Sequence, residues 1–226
     1  KKIHKKDMIG IKYLVTSGPT HEQIDPIRYI TNASSGKMGI SIAKELWYRG
    51  ADVTLIHGNI STEIPKMIKT IKIKTTEEML EKTLNKIKTE SYNVFISAAA
   101  PSDFKIDNYN EKKMSSDNDI NLKFKKTQKI INEVKKTNSK LFSIIFKLEY
   151  NVKEEELIEK SYKRLMESNA DMVIANDGYP PKDKGFDVDT NEVYIINEKK
   201  DVLKIPLSNK KIIAMKIIDE VKKNLK

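Results

Sequence analysis

The chain has 226 residues, 38% of them hydrophobic, enough for one sizeable core; the expectation is a single domain over residues 11–226 behind a charged linker or tail at 1–10. It contains no cysteine, which excludes a disulfide framework, a thiolate metal site and a cysteine nucleophile. The net charge of +10 raises nucleic acid as a partner, yet the 42 basic residues are scattered among 32 acids without a recognition motif, so no nucleic-acid partner is expected. That charge is better suited to attracting phosphorylated small molecules. No apolar run approaches membrane-spanning length, and Lys1 to Lys6 lacks the apolar segment of a signal peptide; the expectation is a soluble, cytoplasmic protein with no membrane partner.

Tyr13 to Thr16 reads as an apolar strand closed by Ser17-Gly18-Pro19-Thr20. Residues 21–25 read as a polar loop ended by Pro26, with His21 a surface side chain because no second ligand stands at a metal spacing. A helix opens near Gly36, buries Ile40, Ile42, Ala43 and Leu46, and ends at Gly50. Residues 51–58 and 67–74 read as the second and third strands. Thr75-x-x-Glu78 is a capping box for a helix whose buried side is Leu80, Leu84 and Ile87. Asn93 to Ala100 is a continuous apolar run ending in small residues, the pattern of a buried parallel strand whose carboxyl end faces a ligand.

Residues 101–119 lack periodicity and read as a flap over a site. Residues 120–126 read as a strand, followed by a short helix with Ile130, Ile131 and Val134. Residues 141–149 and 171–175 read as buried strands around an amphipathic helix at 154–168. Residues 194–197 and 202–205 pair as an antiparallel hairpin, and Ser208 caps a terminal helix with the apolar face Ile212, Met215, Ile218 and Val221. This alternation predicts a Rossmann-like α/β fold, a mostly parallel sheet with helices on both faces plus a small antiparallel β-extension.

Between the first strand and its helix lies Arg28-Tyr-Ile-Thr-Asn-Ala-Ser-Ser-Gly-Lys-Met-Gly39. Ser34, Ser35 and the backbone N–H groups after them supply donors for a phosphate, Lys37 supplies charge, and the glycines allow close approach to the backbone. A Walker loop requires glycine five residues before Gly36, where Thr31 stands, and Ser or Thr after the lysine, where Met38 stands. A dinucleotide fingerprint requires glycine where Ser34 stands, and the second strand runs into His57-Gly58 without the acid that holds a ribose. An NAD(P)-dependent reductase is thereby weakened. It stays a rival reading, as does a basic nucleic-acid-binding module.

Val15-Thr-Ser-Gly-Pro-Thr20 followed by Asp25-Pro-Ile-Arg-Tyr-Ile-Thr-Asn-Ala-Ser-Ser-Gly-Lys-Met-Gly39 resembles phosphopantothenoylcysteine synthetase, the phosphopantothenate-cysteine ligase of coenzyme A synthesis. Ser97-Ala-Ala-Ala-Pro-Ser-Asp103, Phe146-Lys-Leu-Glu149, Asn169-Ala-Asp171 and Ile174-Ala-Asn-Asp177 extend the resemblance from about Met8 to the end. It implies a ligase that uses CTP, favoured, or ATP to activate the carboxylate of 4′-phosphopantothenate as an acyl-nucleotidylate, which the amine of L-cysteine then displaces. It also implies Mg2+ with the triphosphate, no flavin in this chain, and a homodimer paired through the β-extension. A flavin-containing phosphopantothenoylcysteine decarboxylase domain upstream is implied equally with a stand-alone start.

By the same resemblance, Asn32 contacts the acyl-nucleotidylate, its amide donating to a carbonyl oxygen, and Ala33, Ser34, Ser35, Gly36 and Lys37 bind phosphopantothenate. Lys113, ten residues after Asp103, matches the first lysine of a bacterial Lys-x-Lys-Lys flap motif and assists activation; here the motif reads Lys113-Met-Ser-Ser116. The nucleotide is expected against Gly18, Ser97, Ala98, Ala99, Asp103, Lys113, Thr127, Gln128, Lys129, Ile130, Phe146, Arg164 and Ser168. Bacterial members carry Pro-Asp in place of Gln128-Lys129 and lysine in place of Ser168, while Phe146-Lys-Leu-Glu149 resembles the ATP-using branch. Asn176 and Asp177 either orient substrate or magnesium or begin a turn. The oxygen-rich run Gly185 to Asn191 lacks the spacing of a calcium loop, and no metal ligand is assigned.

Overall fold

Apolar strands buried on both faces alternate with helices that are apolar on one side, and the two together build a sheet sandwiched between helical layers. The computed structural model describes residues 6–117, 119–178 and 188–225. Its elements are β1 (Lys12–Pro19), β2 (His21–Gln23), β3 (Tyr29–Thr31), α1 (Lys37–Tyr48), β4 (Asp52–His57), β5 (Lys69–Lys72), α2 (Thr76–Thr89), β6 (Val94–Ala100) and β7 (Phe104–Ile106). They continue with β8 (Phe124–Lys126), α3 (Ile130–Thr137), β9 (Phe142–Glu149), α4 (Glu154–Ser168), β10 (Met172–Asp177), β11 (Thr190–Asn197), β12 (Val202–Asn209) and α5 (Lys210–Asn224).

The main sheet has eight strands in the order β12-β11-β10-β9-β6-β1-β4-β5. All neighbours from β10 to β5 are parallel, while β11 and β12 add antiparallel at the β10 edge. The expected Rossmann-like sheet and antiparallel extension are therefore present. Chain direction across the sheet reverses between β1 and β6, so a crevice opens beyond their carboxyl ends, the usual ligand position in doubly wound sheets.

Side chains alternate across each strand and so feed two cores. Tyr13, Val15 and Ile96 pack with Ile40, Ile42 and Leu46 of α1 and Ile213, Ile217 and Val221 of α5. On the other face, Leu14, Phe95 and Ile145 pack with Met79 of α2, Val134 of α3 and Leu165 of α4.

Three expectations shift. The strand at 120–126 shrinks to β8, which is wholly exposed and pairs only with β7, so its alternating apolar side chains Ile120, Leu122 and Phe124 do not join the main sheet. Residues 21–25 are not all loop: β2 pairs with β3, and the His21 ring stacks on Tyr29 at 3.9 Å. Ser208 does not cap α5, since β12 stays paired with β11 as far as Asn209, whose side chain accepts from the Lys211 N–H at 3.0 Å. The helix thus buries Ile213, Ala214, Ile217, Ile218 and Val221 and leaves Ile212 exposed. Of the run 185–191, residues 185–187 lie outside the described residues.

Candidate active site

A cleft of about 550 Å³ lies beyond the carboxyl ends of β1, β6 and β9. Its floor is the end of β6, where burial changes from complete at Val94, Phe95 and Ile96 to partial from Ser97 onward. Short side chains there let a ligand approach the strand backbone.

One wall is the start of α1. Gly36 stands at the helix N-cap with φ +73°, in the left-handed region, and makes no side-chain cap; no acid occupies the first turn. A Cβ at Gly36 would meet Ile60 Cγ2 at 2.6 Å and Gly18 Cα at 3.2 Å. The helix is pulled onto the sheet at Gly39, where a Cβ would lie 2.5 Å from Ser17 Oγ. Buried Ser17 in turn donates its hydroxyl to the Gly36 carbonyl at 2.8 Å. With no side-chain cap and no acid in its first turn, the start of α1 presents its positive dipole end to the cleft, where an anion is favoured.

Asn32 faces this helix start from the end of β3. Its Nδ2 donates to the carbonyls of Ala100 and Pro101, both at 3.1 Å. With the amide hydrogens committed there, Oδ1 is the group that this geometry leaves for a ligand. The expected role as donor to a carbonyl oxygen is not the one this arrangement presents.

The remaining walls carry cations. Lys37 pairs with Asp189 at 3.1 Å, Lys129 with Asp103, and Lys147 with Glu149 at 2.7 Å. Lys210, 5% exposed at the start of α5, donates to the Val188 carbonyl at 2.6 Å. Asn176 is 8% exposed, and its side-chain amide makes no hydrogen bond with another described residue.

Of the residues expected at the site, Asn32 to Lys37, Ser97, Ala98, Ala99, Asp103, Thr127 to Ile130, Phe146 and Arg164 line this single cleft. Three do not. Gly18 packs beneath the helix start, against the position of Gly36. Ser168 is 2% exposed and donates to the Leu165 carbonyl at 3.0 Å. Lys113 is exposed on the 107–117 segment, which is fastened outside the cleft. That fastening is Asp25, which accepts from the Met114 N–H at 3.2 Å, together with Arg28, which donates to the Met114 carbonyl at 2.8 Å. Hydrogen bonds from the Arg28 guanidinium hold the Asp25 carboxyl well below the usual carboxylate range, against the opposing effect of burial.

Sequence reading missed Asn191, Lys210, Lys147 and Ser102 as lining residues. Lys147 and Ser102 had a usable signal, their places in the Phe146–Glu149 run and in the run after β6. Among the described residues no group of three or more His, Cys, Asp or Glu side chains is placed to hold a metal ion. No helix among them is long and apolar enough to cross a membrane.

The chain is a doubly wound α/β protein whose crevice brings an uncapped helix start together with several lysines, a setting chemically suited to an anion. The chain belongs to the DNA/pantothenate metabolism flavoprotein C-terminal domain family, whose profile matches residues 8–225. It is 40% identical over its whole length to the coenzyme A biosynthesis bifunctional protein CoaBC of Thermococcus kodakarensis, covering 54% of that protein. It is 39% identical over 96% of its length to the protein of the same name from Methanocaldococcus jannaschii, covering 52%. The chain therefore spans about half the length of the curated relatives it matches. Among solved structures, the C-terminal domain of a coenzyme A biosynthesis bifunctional protein CoaBC superposes with a TM-score of 0.81 at 28% identity, with 98% of each chain covered. A Cab2 variant in complex with phosphopantothenate-cysteine shares the fold, with a TM-score of 0.69 at 16% identity over 94% of this chain and 87% of that one.

Proposed function

We propose that this chain is a ligase of coenzyme A biosynthesis that joins 4′-phosphopantothenate to L-cysteine at the expense of a nucleoside triphosphate. The observation that carries the reading is the single cleft in which Asn32, the α1 start and the Ser97–Asp103 segment meet. Relatives named for coenzyme A biosynthesis along the full length of the chain support it.

A carboxylate is a poor acyl donor, so the reaction takes two steps. In the first, a carboxylate oxygen of phosphopantothenate attacks the α-phosphorus of the nucleotide; an acyl–O–P bond forms and the bond to pyrophosphate breaks. In the second, the cysteine amine attacks the acyl carbon, loses a proton and expels the mononucleotide. No covalent bond to the protein is needed, so positioning and fixed dipoles supply the catalysis. The N–H groups at the start of α1, with Ser34, Ser35 and Lys37, hold the phosphate of phosphopantothenate, and Asn32 sits at the acyl group. Ser97, Ala98, Ala99 and Phe146 hold the nucleotide, for which CTP is favoured over ATP. Lys113 serves activation, which requires its segment to move inward from the Asp25–Arg28 fastening.

Magnesium enters as the counter-ion of the triphosphate. Asp103, the one carboxylate lining the described cleft, would be the group to hold it, and the ion would offset the charge of the triphosphate. The chain functions as a homodimer joined through β11 and β12, alongside a flavin-containing decarboxylase domain.

The test is pyrophosphate release with phosphopantothenate, cysteine, magnesium and either CTP or ATP. Nucleotide-dependent product with at least one of the two is expected. If neither yields product, the ligase reading falls. Competition between CTP and ATP in one assay decides the preference.

A further inference from the structure

Glu22 is 4% exposed, lies outside the cleft and has no part in the chemistry above. Its Oε1 accepts from both the backbone N–H and the hydroxyl of Thr76, each at 2.8 Å. Thr76 has one hydroxyl hydrogen, and the Glu22 bond is shorter than the alternative to the Ser102 carbonyl at 3.3 Å. The 2.8 Å contact between the Thr20 and Thr76 hydroxyls must then be donated by Thr20. Thr20 Oγ1 in turn accepts the Ser102 N–H at 2.9 Å. The bonds therefore all point one way: Ser102 N–H to Thr20, Thr20 to Thr76, Thr76 to Glu22.

The direction matters because of the peptide at its head. The Pro101–Ser102 peptide bond is trans and planar, so its carbonyl points away from its N–H. The N–H points down the chain towards Glu22, and the carbonyl points at Asn32 Nδ2, 3.1 Å away. Aligned donors polarise one another, which makes the Pro101 carbonyl a better acceptor. Thr20 also holds the other wall, since its carbonyl accepts from Thr31 Oγ1 at 2.8 Å, next to Asn32.

We propose that Glu22, Thr76 and Thr20 are positioning residues: their directed chain of hydrogen bonds sets the Pro101–Ser102 peptide and through it turns the Asn32 amide so that Oδ1 faces the cleft. For its catalytic consequence the inference rests on the role given to Asn32 above; the orientation itself does not.

The test therefore has two arms, both on the chain as it stands. In 15N–1H spectra, the Asn32 side-chain amide signal, identified by its loss in Asn32→Asp, should shift in Thr20→Val and return towards its original position in Thr20→Ser. In the ligase assay, Thr20→Val should lower kcat about tenfold while KM for the nucleotide stays within about twofold. Thr20→Ser should restore most of the rate. Combined with Asn32→Ala, Thr20→Val should cost little more, because both act through one group. Thr76→Val cuts the same chain one link further on and replaces Thr20→Val should that variant not fold. An unmoved Asn32 signal in a folded Thr20→Val or Thr76→Val overturns the orientation. A moved signal with unchanged kcat, or full additivity with Asn32→Ala, overturns the positioning role. If the unaltered chain makes no product while the signal behaves as expected, the ligase reading fails and the orientation stands.

Discussion

Gly39→Ala sets two physical effects of opposite sign against each other. Alanine is favoured over glycine inside a helix by about 1 kcal/mol, so propensity alone predicts that the change stabilises α1. Packing predicts the reverse. The new Cβ would lie 2.5 Å from Ser17 Oγ, 2.7 Å from Ser17 Cβ and 3.2 Å from the Thr16 carbonyl. None of these can yield cheaply, because Ser17 is fully buried in β1 and its hydroxyl is bonded to Gly36. Forcing a methyl into such a contact costs roughly 1–3 kcal/mol, and losing the Ser17 hydrogen bond costs about 1 kcal/mol more. After the propensity gain, the net expectation is a destabilisation of about 1–3 kcal/mol in urea unfolding. Ser17→Gly removes both clashing side-chain atoms, so it should recover at least half of that loss in the double variant. A neutral or stabilising Gly39→Ala would refute the close packing of α1 on β1, and with it the account of how the helix start is held at the cleft.

Asn32→Ala should leave thermal unfolding unchanged and reduce product formation about a hundredfold; full activity would remove Asn32 from the acyl site. Lys113→Gln should slow pyrophosphate release about tenfold while phosphopantothenate binding changes little, and an unchanged first step would exclude Lys113 from activation. The Asp25 carboxyl, held below its ordinary value of 3.8 by Arg28, adds stability that is fully present above that pH and lost as pH falls through its lower folded value. Asp25→Asn should therefore flatten the acid limb of urea midpoint against pH below about pH 4; the same slope in both proteins would show that Asp25 does not contribute.

The sheet and the main wall of the site were legible because each is written in one continuous stretch. Val94 to Ala100 is apolar without interruption, as a strand buried on both faces must be, and the small residues at its end announce the open floor of the cleft. The Arg28 to Gly39 run likewise carries its own backbone constraints in its glycines. The three-residue strands β2, β3 and β7 are too short for alternation to register, and only their pairing defines them. Asn191 and Lys210 reach the cleft because β11 and β12 continue the same sheet and bring the start of α5 back to it. Nothing in either residue's neighbourhood in sequence predicts that return. Thr20, Glu22 and Thr76 show the limit most sharply: each is an unremarkable polar residue alone, and the path among them exists only once β1, β2 and α2 have packed. Groups that share one segment can be read from the chain, whereas contacts that join several segments become readable only in the folded protein.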